Sequence, residues 1–216
     1  EGGERCGEVW LWLRMGRCAR CASALCSSAA SDVYRGQGQR REHDFQAGFE
    51  AELHRGGRHV SSVVVLSIDI SLHALLGDLT NSQAISLWQD LILLGVVLFV
   101  LAGPPCETWS AARYLRLQDD GPHGPRPIRS QSRLWGLPVL KRAEAQSIAV
   151  GNALLRATVR MFYAAMCSAA TGVIMEHPKR PHWIPDAPSS WLLPEIKYIA
   201  AHQKSQSLDI DQCMFG

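Results

Sequence analysis

The sequence predicts an α/β fold in which a doubly wound, mostly parallel sheet carries helices on both faces. Two observations lead to this prediction. The runs VVVLSIDI at 63–70 and VVLFVLA at 96–102 are continuously apolar and rich in β-branched residues, as strands buried on both faces are. Segments with helical patterns alternate with these runs, and such alternation is typical of parallel strands joined by crossover helices.

Composition favours a folded chain with an ordinary core. Of the 216 residues 47% are hydrophobic and 19% are charged, and the net charge is only +2, so global charge indicates no nucleic-acid partner. The longest apolar run, 91–102, is too short to cross a bilayer, and we expect no membrane partner. Seven unevenly spaced cysteines without a secretory signal predict a reducing, intracellular compartment.

The chain divides into two parts by composition. Residues 1–31 are rich in Cys, Ala and Ser without a clear period, and we expect a poorly ordered lead-in. Residues 32–216 carry the strand and helix patterns of one α/β domain. The chain starts at Glu1 rather than Met and ends abruptly at Gly216, so we expect a fragment of a longer product, either a monomer or part of a larger polypeptide.

The remaining helices and strands are predicted from hydrophobic periodicity, helix-capping residues and the positions of Gly and Pro. Thr80 or Asn81 can cap a helix that Gly95 ends, and Gly151 is a weak point in a later, longer helix. In chain order we expect a helix at 44–57, a helix at 82–94, a basic Gly/Pro-rich loop at 111–138, a helix from 141 to about 170, a strand at 172–175, a helix around 190–202 and a strand near 208–215.

Polar side chains gather just past the predicted strands. Asp69, Asp78, Cys106 and Glu176 all occupy such positions, and ligands of parallel sheets bind beyond the carboxyl ends of the strands. The turn GPPC at 103–106 is the sharpest motif, because two prolines fix its backbone. A rigid turn holds a nucleophile in place at low entropic cost.

These motifs together resemble the cytosine-C5 methyltransferases, a family with a Rossmann-like, S-adenosylmethionine-dependent fold. PPCETWS at 104–110 resembles the family's Pro-Cys loop after the fourth strand, and EHP at 176–178 stands where the family has Glu-Asn-Val after the fifth. GDL at 77–79 is similar to the Gly-Asp-hydrophobic motif, and Asp69 to the acidic residue that ends the second strand. The resemblance covers roughly residues 34–216.

The resemblance implies a catalytic pair. Cys106 would add as a thiolate to C6 of cytosine and make C5 nucleophilic, which requires a lowered thiol pKa, and Arg113 could help to lower it. Glu176 would hold N3 and the exocyclic amine of the base. The target base would leave the duplex stack at a cost of about a few kcal/mol.

The resemblance also implies a cofactor and a polymer substrate. S-adenosylmethionine would bind with Asp69 on the ribose and Asp78 on the adenine amine, and the cofactor-binding set would be Gly36, Gly38, Asp69, Asp78 and Pro104. The substrate would be nucleic acid, DNA in preference to RNA, in the nucleus. Arginines of the basic loop are its candidate phosphate contacts, or else an ordinary solvated surface: Arg113, Arg116, Arg126, Arg129 and Arg133.

Departures from the family pattern leave two other functions open. Only GQGQRREHDF at 36–45 is available as the glycine-rich first loop, the interval from Asp69 to Asp78 is too short for the usual helix, and Glu176 is all that remains of Glu-Asn-Val. One alternative is a catalytically silent domain of the same fold, a module of a larger or mobile-element polyprotein. The other is a methyltransferase with a different substrate.

Purely structural roles remain open for several of these residues. Asp69 and Asp78 could be cap or turn residues, and Glu176 a solvated acid. His177 has the marks of a structural residue, and Trp109 and Trp135 those of packing residues.

We expect no metal site. Cys18-x-x-Cys21 with Cys6 and Cys26 offers four thiols, but neither a His nor a second Cys-x-x-Cys pair supports zinc binding. A zinc deaminase would need Pro-Cys-x-x-Cys, and no second cysteine follows Cys106 at that spacing.

The implied cofactor site gives a first prediction. Asp69→Ala removes a charged acceptor from the ribose, so we expect the variant to bind S-adenosylmethionine more weakly by about 1.5–3 kcal/mol. Calorimetric titration measures this affinity. Equal affinities of variant and natural chain would remove Asp69 from the cofactor site.

Overall fold

A computed structural model describes residues 9–14, 63–68, 73–114, 125–168, 171–179 and 184–209. The chain forms two compact units. The sheet unit comprises residues 1–104 and 160–175, and the loop unit comprises 105–159 and 176–216. The helix expected at 44–57 and nearly all of the strand expected near 208–215 lie outside the described residues.

The described residues of the sheet unit form a four-stranded sheet in the order β2-β1-β3-β4. They are β1 (Val9–Arg14), β2 (Val63–Ile68), β3 (Val97–Ala102) and β4 (Gly172–Met175). β1 is antiparallel to both of its neighbours, whereas β3 and β4 are parallel. β2, β3 and β4 therefore run in the same direction, and all three lie where the sequence predicts strands.

The central strand β1 was not expected. It lies within residues 1–31, for which the sequence predicts a poorly ordered lead-in, and that prediction is wrong for residues 9–14. The run VWLWLR is too short to display a period, but its Val, Leu and Trp residues suit a strand with partners on both sides. Because β1 enters between β2 and β3, two of the three described pairings are antiparallel, and the doubly wound class stays a prediction.

Helix α1 (Ser82–Leu93) begins and ends at signals that the sequence carries. The Asn81 side chain accepts a hydrogen bond from the Gln83 backbone N–H at 2.9 Å, which confirms the second of the two predicted caps. After the helix, Gly95 adopts a φ of 69°, a conformation that glycine reaches without steric cost. The predicted end at Gly95 is thereby confirmed.

One face of α1 is buried in the core of the sheet unit. The indole N–H of Trp88 donates to the Leu76 carbonyl at 2.8 Å, which satisfies the polar atom of a buried ring. The side chains buried along this face are spaced as on one helical stripe: Ala84, Ile85, Trp88 and Ile92.

The connection from β3 to β4 contains the longest of the described helices, α2 (Arg142–Cys167), close to the predicted 141–170. A 3₁₀ turn, Ala111–Tyr114, lies inside the segment expected to be loop. The helix expected around 190–202 is divided into a 3₁₀ turn, Ser190–Leu192, and α3 (Pro194–Ala200), because Pro194 favours the first turn of a new helix. Among the described helices, none has the length and apolarity that a membrane span requires.

The neighbouring strands β3 and β4 approach each other closely where Phe99 lies opposite Gly172. A Cβ atom at Gly172 would stand 2.8 Å from Cδ2 and 3.0 Å from Cε2 of the phenylalanine ring. The ring thus lies directly over the glycine, as aromatic residues do where they cover a glycine in a neighbouring strand.

This contact predicts that Gly172→Ala destabilises the sheet unit by about 1–3 kcal/mol, the usual cost of overpacking. The midpoint of urea unfolding measures the loss. Ile174→Ala, at an exposed position of the same strand, is the matched control. Phe99→Leu should relieve the clash when it is combined with Gly172→Ala. A double variant no more stable than Gly172→Ala alone would contradict the packing argument.

Candidate active site

The two expected catalytic residues follow neighbouring strands. β3 and β4 end in register, with Ala102 opposite Met175. Cys106 comes shortly after the end of β3 and Glu176 directly after β4, and both residues are exposed and belong to the loop unit. The Glu176 carboxylate is near enough to raise the pKa of the Cys106 thiol. The two side chains therefore lie within range of each other's charge, and their catalytic roles stay a prediction.

The environment of Cys106 disfavours the thiolate. Although the residue is exposed as a whole, partial burial of the thiol is the main cause that raises its pKa, and the charges of Glu176 and Glu107 raise it further. A hydrogen bond from its own backbone acts in the opposite direction and is outweighed. In this conformation the thiol is protonated at neutral pH, and a nucleophile needs the reverse shift.

Arg113 does not provide the activation that the sequence suggested. Its Nε donates to the Glu107 carbonyl at 2.8 Å and its Nη1 to the Arg126 carbonyl at 3.1 Å. These bonds tie the Cys106 loop to the segment that begins at residue 125. The guanidinium thus acts on the backbone of the loop, and the pKa of Cys106 is raised despite it.

Arg129 lies in the interior of the loop unit, with 1% of its surface exposed. Its Nε donates to Thr108 Oγ1 at 3.0 Å, and its Nη1 donates to the Leu134 carbonyl at 2.6 Å and to Asn152 Oδ1 at 2.8 Å. The guanidinium carbon stands 4.0 Å from the centroid of the Trp109 ring, in a cation–π contact. The expectation that Arg129 contacts phosphate from a solvated loop is wrong, since its guanidinium is used inside the protein.

The charge of Arg129 is unusually placed. All three side-chain or backbone acceptors that hold it are neutral oxygens, and burial, followed by repulsion from Arg113, lowers its pKa to about 9. A buried cation without a carboxylate is costly unless hydrogen bonds and an aromatic face replace water. Its Nη2 finds no hydrogen-bond partner among the described residues.

Gly151 makes room for this arginine. A Cβ atom there would stand 3.3 Å from Thr108 Oγ1 and 3.4 Å from Arg129 Nη2, and both of those side chains are held by other contacts. The glycine that is a weak point of α2 by helix propensity therefore allows the helix backbone to approach the buried guanidinium.

His177 is buried directly after the exposed Glu176. Its Nδ1 shares a 2.7 Å hydrogen bond with Ser190 Oγ, and its ring meets the edge of Trp109 at 5.9 Å between centroids and 82° between planes. Burial, with a smaller effect of the Arg129 charge, lowers the pKa of His177 to about 4. The ring is neutral at pH 7, in agreement with the structural role expected for it.

The other candidate phosphate contacts differ in their availability. Arg126 forms a bidentate pair with Glu144, with 2.7 Å from Nε to Oε1 and 2.6 Å from Nη2 to Oε2. The same carboxylate accepts from the Lys141 N–H at the start of α2, and its pKa falls to about 2, mainly because of Arg126. Arg133 is exposed, and Arg116 lies outside the described residues.

The expected cofactor residues are only partly described. Gly36, Gly38 and Asp69 lie outside the described residues, and Pro104 is buried. Asp78 Oδ1 accepts hydrogen bonds from the Thr80 N–H at 2.9 Å and from Thr80 Oγ1 at 2.6 Å, which is the arrangement of a turn before a helix. Because only Asp78 and Pro104 of the five expected residues are described, the S-adenosylmethionine site stays a prediction.

The described part of the chain contains no group of three or more His, Cys, Asp or Glu side chains placed to hold a metal ion. The four N-terminal cysteines considered for zinc lie outside it. Trp109 is buried, as its packing role predicts, and Trp135 lies against Arg156, whose guanidinium carbon is 4.6 Å from the ring centroid.

Comparison with protein-family models, with curated proteins and with solved structures finds no match for this chain. The interpretation of the site therefore depends on its own residues and their geometry.

The buried histidine predicts a specific pH dependence of stability. In the unfolded chain His177 takes up a proton below about pH 6.5, whereas in the folded chain it stays neutral until about pH 4. Its contribution is therefore complete above pH 6.5 and is lost as the pH falls to 4, by about 3 kcal/mol in all. Urea unfolding between pH 7 and 4 should show a shallower slope for His177→Gln.

His202→Gln is the control, because this histidine lies at the end of α3 with its Nδ1 accepting from the Lys204 N–H. The control should keep the slope of the natural chain. Equal slopes for His177→Gln and the natural chain would show that His177 titrates normally and is not buried.

Proposed function

We propose that the chain is a cytosine-C5-type methyltransferase domain of the doubly wound α/β class, with Cys106 and Glu176 as its reacting pair. The observation that carries the proposal is the placement of this pair. A thiol and a carboxylate follow two adjacent parallel strands that end in register, both are exposed, and the charge of one acts on the other. Cytosine-C5 chemistry needs one group on C6 and one on N3 of the same ring.

The raised pKa of Cys106 gives the pair a gating property. While Glu176 is a free carboxylate, its charge opposes ionisation of the thiol. A cytosine bound through N3 and its amine would require one proton, taken up from solvent, between N3 and the Glu176 carboxylate, and this proton would diminish that charge. The thiol then ionises more readily, so its nucleophilicity rises when the base is in place.

The remaining roles follow the same proposal. S-adenosylmethionine would supply the methyl group when bound. Pro104 and Pro105 fix the backbone ahead of the thiol, and the Cys106 carbonyl accepts from the Trp109 N–H at 2.8 Å, which closes the turn. Nucleic acid, DNA before RNA, is the proposed substrate, with exposed Arg133 and residue Arg116 as proposed phosphate contacts, in an intracellular, nuclear setting.

A catalytically silent domain of the same fold is the second candidate. The raised pKa of Cys106 favours it, because a thiol whose surroundings oppose its ionisation is a poor nucleophile. Three arginines of the basic loop are engaged by other groups of the protein and not by phosphate, which also favours the silent domain. Arg113 is bonded to backbone carbonyls, Arg126 is paired with Glu144, and Arg129 is buried. Such a module would keep the fold and would not transfer a methyl group.

Covalent trapping separates the two candidates. DNA containing 5-fluorocytosine, incubated with the chain and S-adenosylmethionine, should form a stable adduct that gel electrophoresis detects. Cys106→Ser should abolish the adduct, and Glu176→Gln should slow methyl transfer roughly 10²–10⁴-fold. Cys167→Ser, at another exposed free cysteine, should react like the natural chain. Cofactor binding by calorimetry without any adduct would establish the silent domain.

A further inference from the structure

Two buried aromatic rings lie next to the two exposed site residues in sequence. Trp109, with 2% of its surface exposed, is joined to Cys106 by the single turn that its N–H closes on the Cys106 carbonyl. His177, with 7% exposed, directly follows Glu176. Each reactive side chain is therefore placed by an anchor that cannot move without disturbing the interior.

The two anchors contact each other. The His177 ring meets the Trp109 ring in the T-shaped arrangement that aromatic pairs prefer, which contributes more than area burial alone. Ser190 holds the histidine through a hydrogen bond with Nδ1, and the Arg129 guanidinium covers a face of the tryptophan. Thr108, beside Trp109, is bonded to the same guanidinium. The pair is thus fixed from both sides.

We propose that the buried contact between Trp109 and His177 positions Cys106 and Glu176 against each other, and so makes the reactivity of the thiol depend on the Glu176 carboxylate. Trp109 and His177 are positioning residues in this scheme. The inference takes from the proposed function only the roles of the two exposed residues, and its test measures the thiol without any methyl transfer.

Glu107 provides an internal comparison. It also raises the pKa of Cys106 through its charge, but it is the next residue in the same turn. Its distance from the thiol is set by the local backbone and not by the ring contact. Loss of the contact should therefore remove the influence of Glu176 and leave that of Glu107.

The experiment is the rate of Cys106 alkylation by iodoacetamide across pH 6–10, read by mass spectrometry of the peptide that contains Cys106. Glu176→Gln should lower the apparent thiol pKa and raise the rate at pH 7.5 roughly threefold. In a His177→Ala background, Glu176→Gln should leave the alkylation rate at pH 7.5 nearly unchanged. Glu107→Gln should keep its effect in both backgrounds, and His202→Ala should leave the effect of Glu176→Gln intact.

Circular dichroism establishes that each variant is folded, and Trp109→Leu replaces His177→Ala if the latter is not. An equal effect of Glu176→Gln with and without the ring contact would overturn the inference, because the rings would then be only structural. No effect of Glu176→Gln in the natural background would overturn it as well. Absence of methyl transfer would count against the proposed function and leave this inference standing.

Discussion

The stacking of the Arg129 guanidinium on Trp109 is the interaction on which the rest of the loop unit depends. The cation is buried among neutral oxygens. Its burial is tolerated only if Thr108, Leu134 and Asn152 all stay within hydrogen-bond distance of the guanidinium. Those partners come from the Pro-Cys loop, from the basic loop that contains Arg129 itself, and from α2. One side chain therefore holds three separate pieces of chain, and the turn that carries the thiol is among them.

A cost accompanies this arrangement. Nη2 of Arg129, Nε1 of Trp109 and Nε2 of His177 have no partner among the described residues, although all three atoms are buried. Unsatisfied polar atoms of this kind usually occur in native proteins where something other than stability is maintained. Here two of them belong to the Trp109 and His177 rings and the third to the guanidinium that covers Trp109, which agrees with a cluster kept for the geometry of Cys106 and Glu176.

Strong local signals made much of the sheet unit predictable, whereas the loop unit depends on contacts that no local pattern reveals. The β-branched run of β3, the cap Asn81 and the stop at Gly95 each specify their own structure, and the structure has all three. Cys106 and Glu176 could be predicted to lie near each other because neighbouring parallel strands end at one edge of the sheet. Arg129 was misplaced because a charged residue in a Pro-rich loop is ordinarily solvated, and burial of its charge depends on Gly151 and Asn152 in a distant helix.

The central place of β1 has a consequence for how the chain folds. β2 and β3 have no direct pairing with each other, and both bond to a strand that is made first and lies far away in sequence. Because the paired strands lie far apart in sequence, the sheet has a high contact order. Two long loops must close before β1 is paired on both sides, which costs entropy and slows folding. One edge of β1 can pair once β2 has been synthesised, and the other edge stays unpaired until β3 has been synthesised. During that interval its apolar ribbon is open to wrong partners, and a chain that begins after Arg14 would lack the piece that joins β2 to β3.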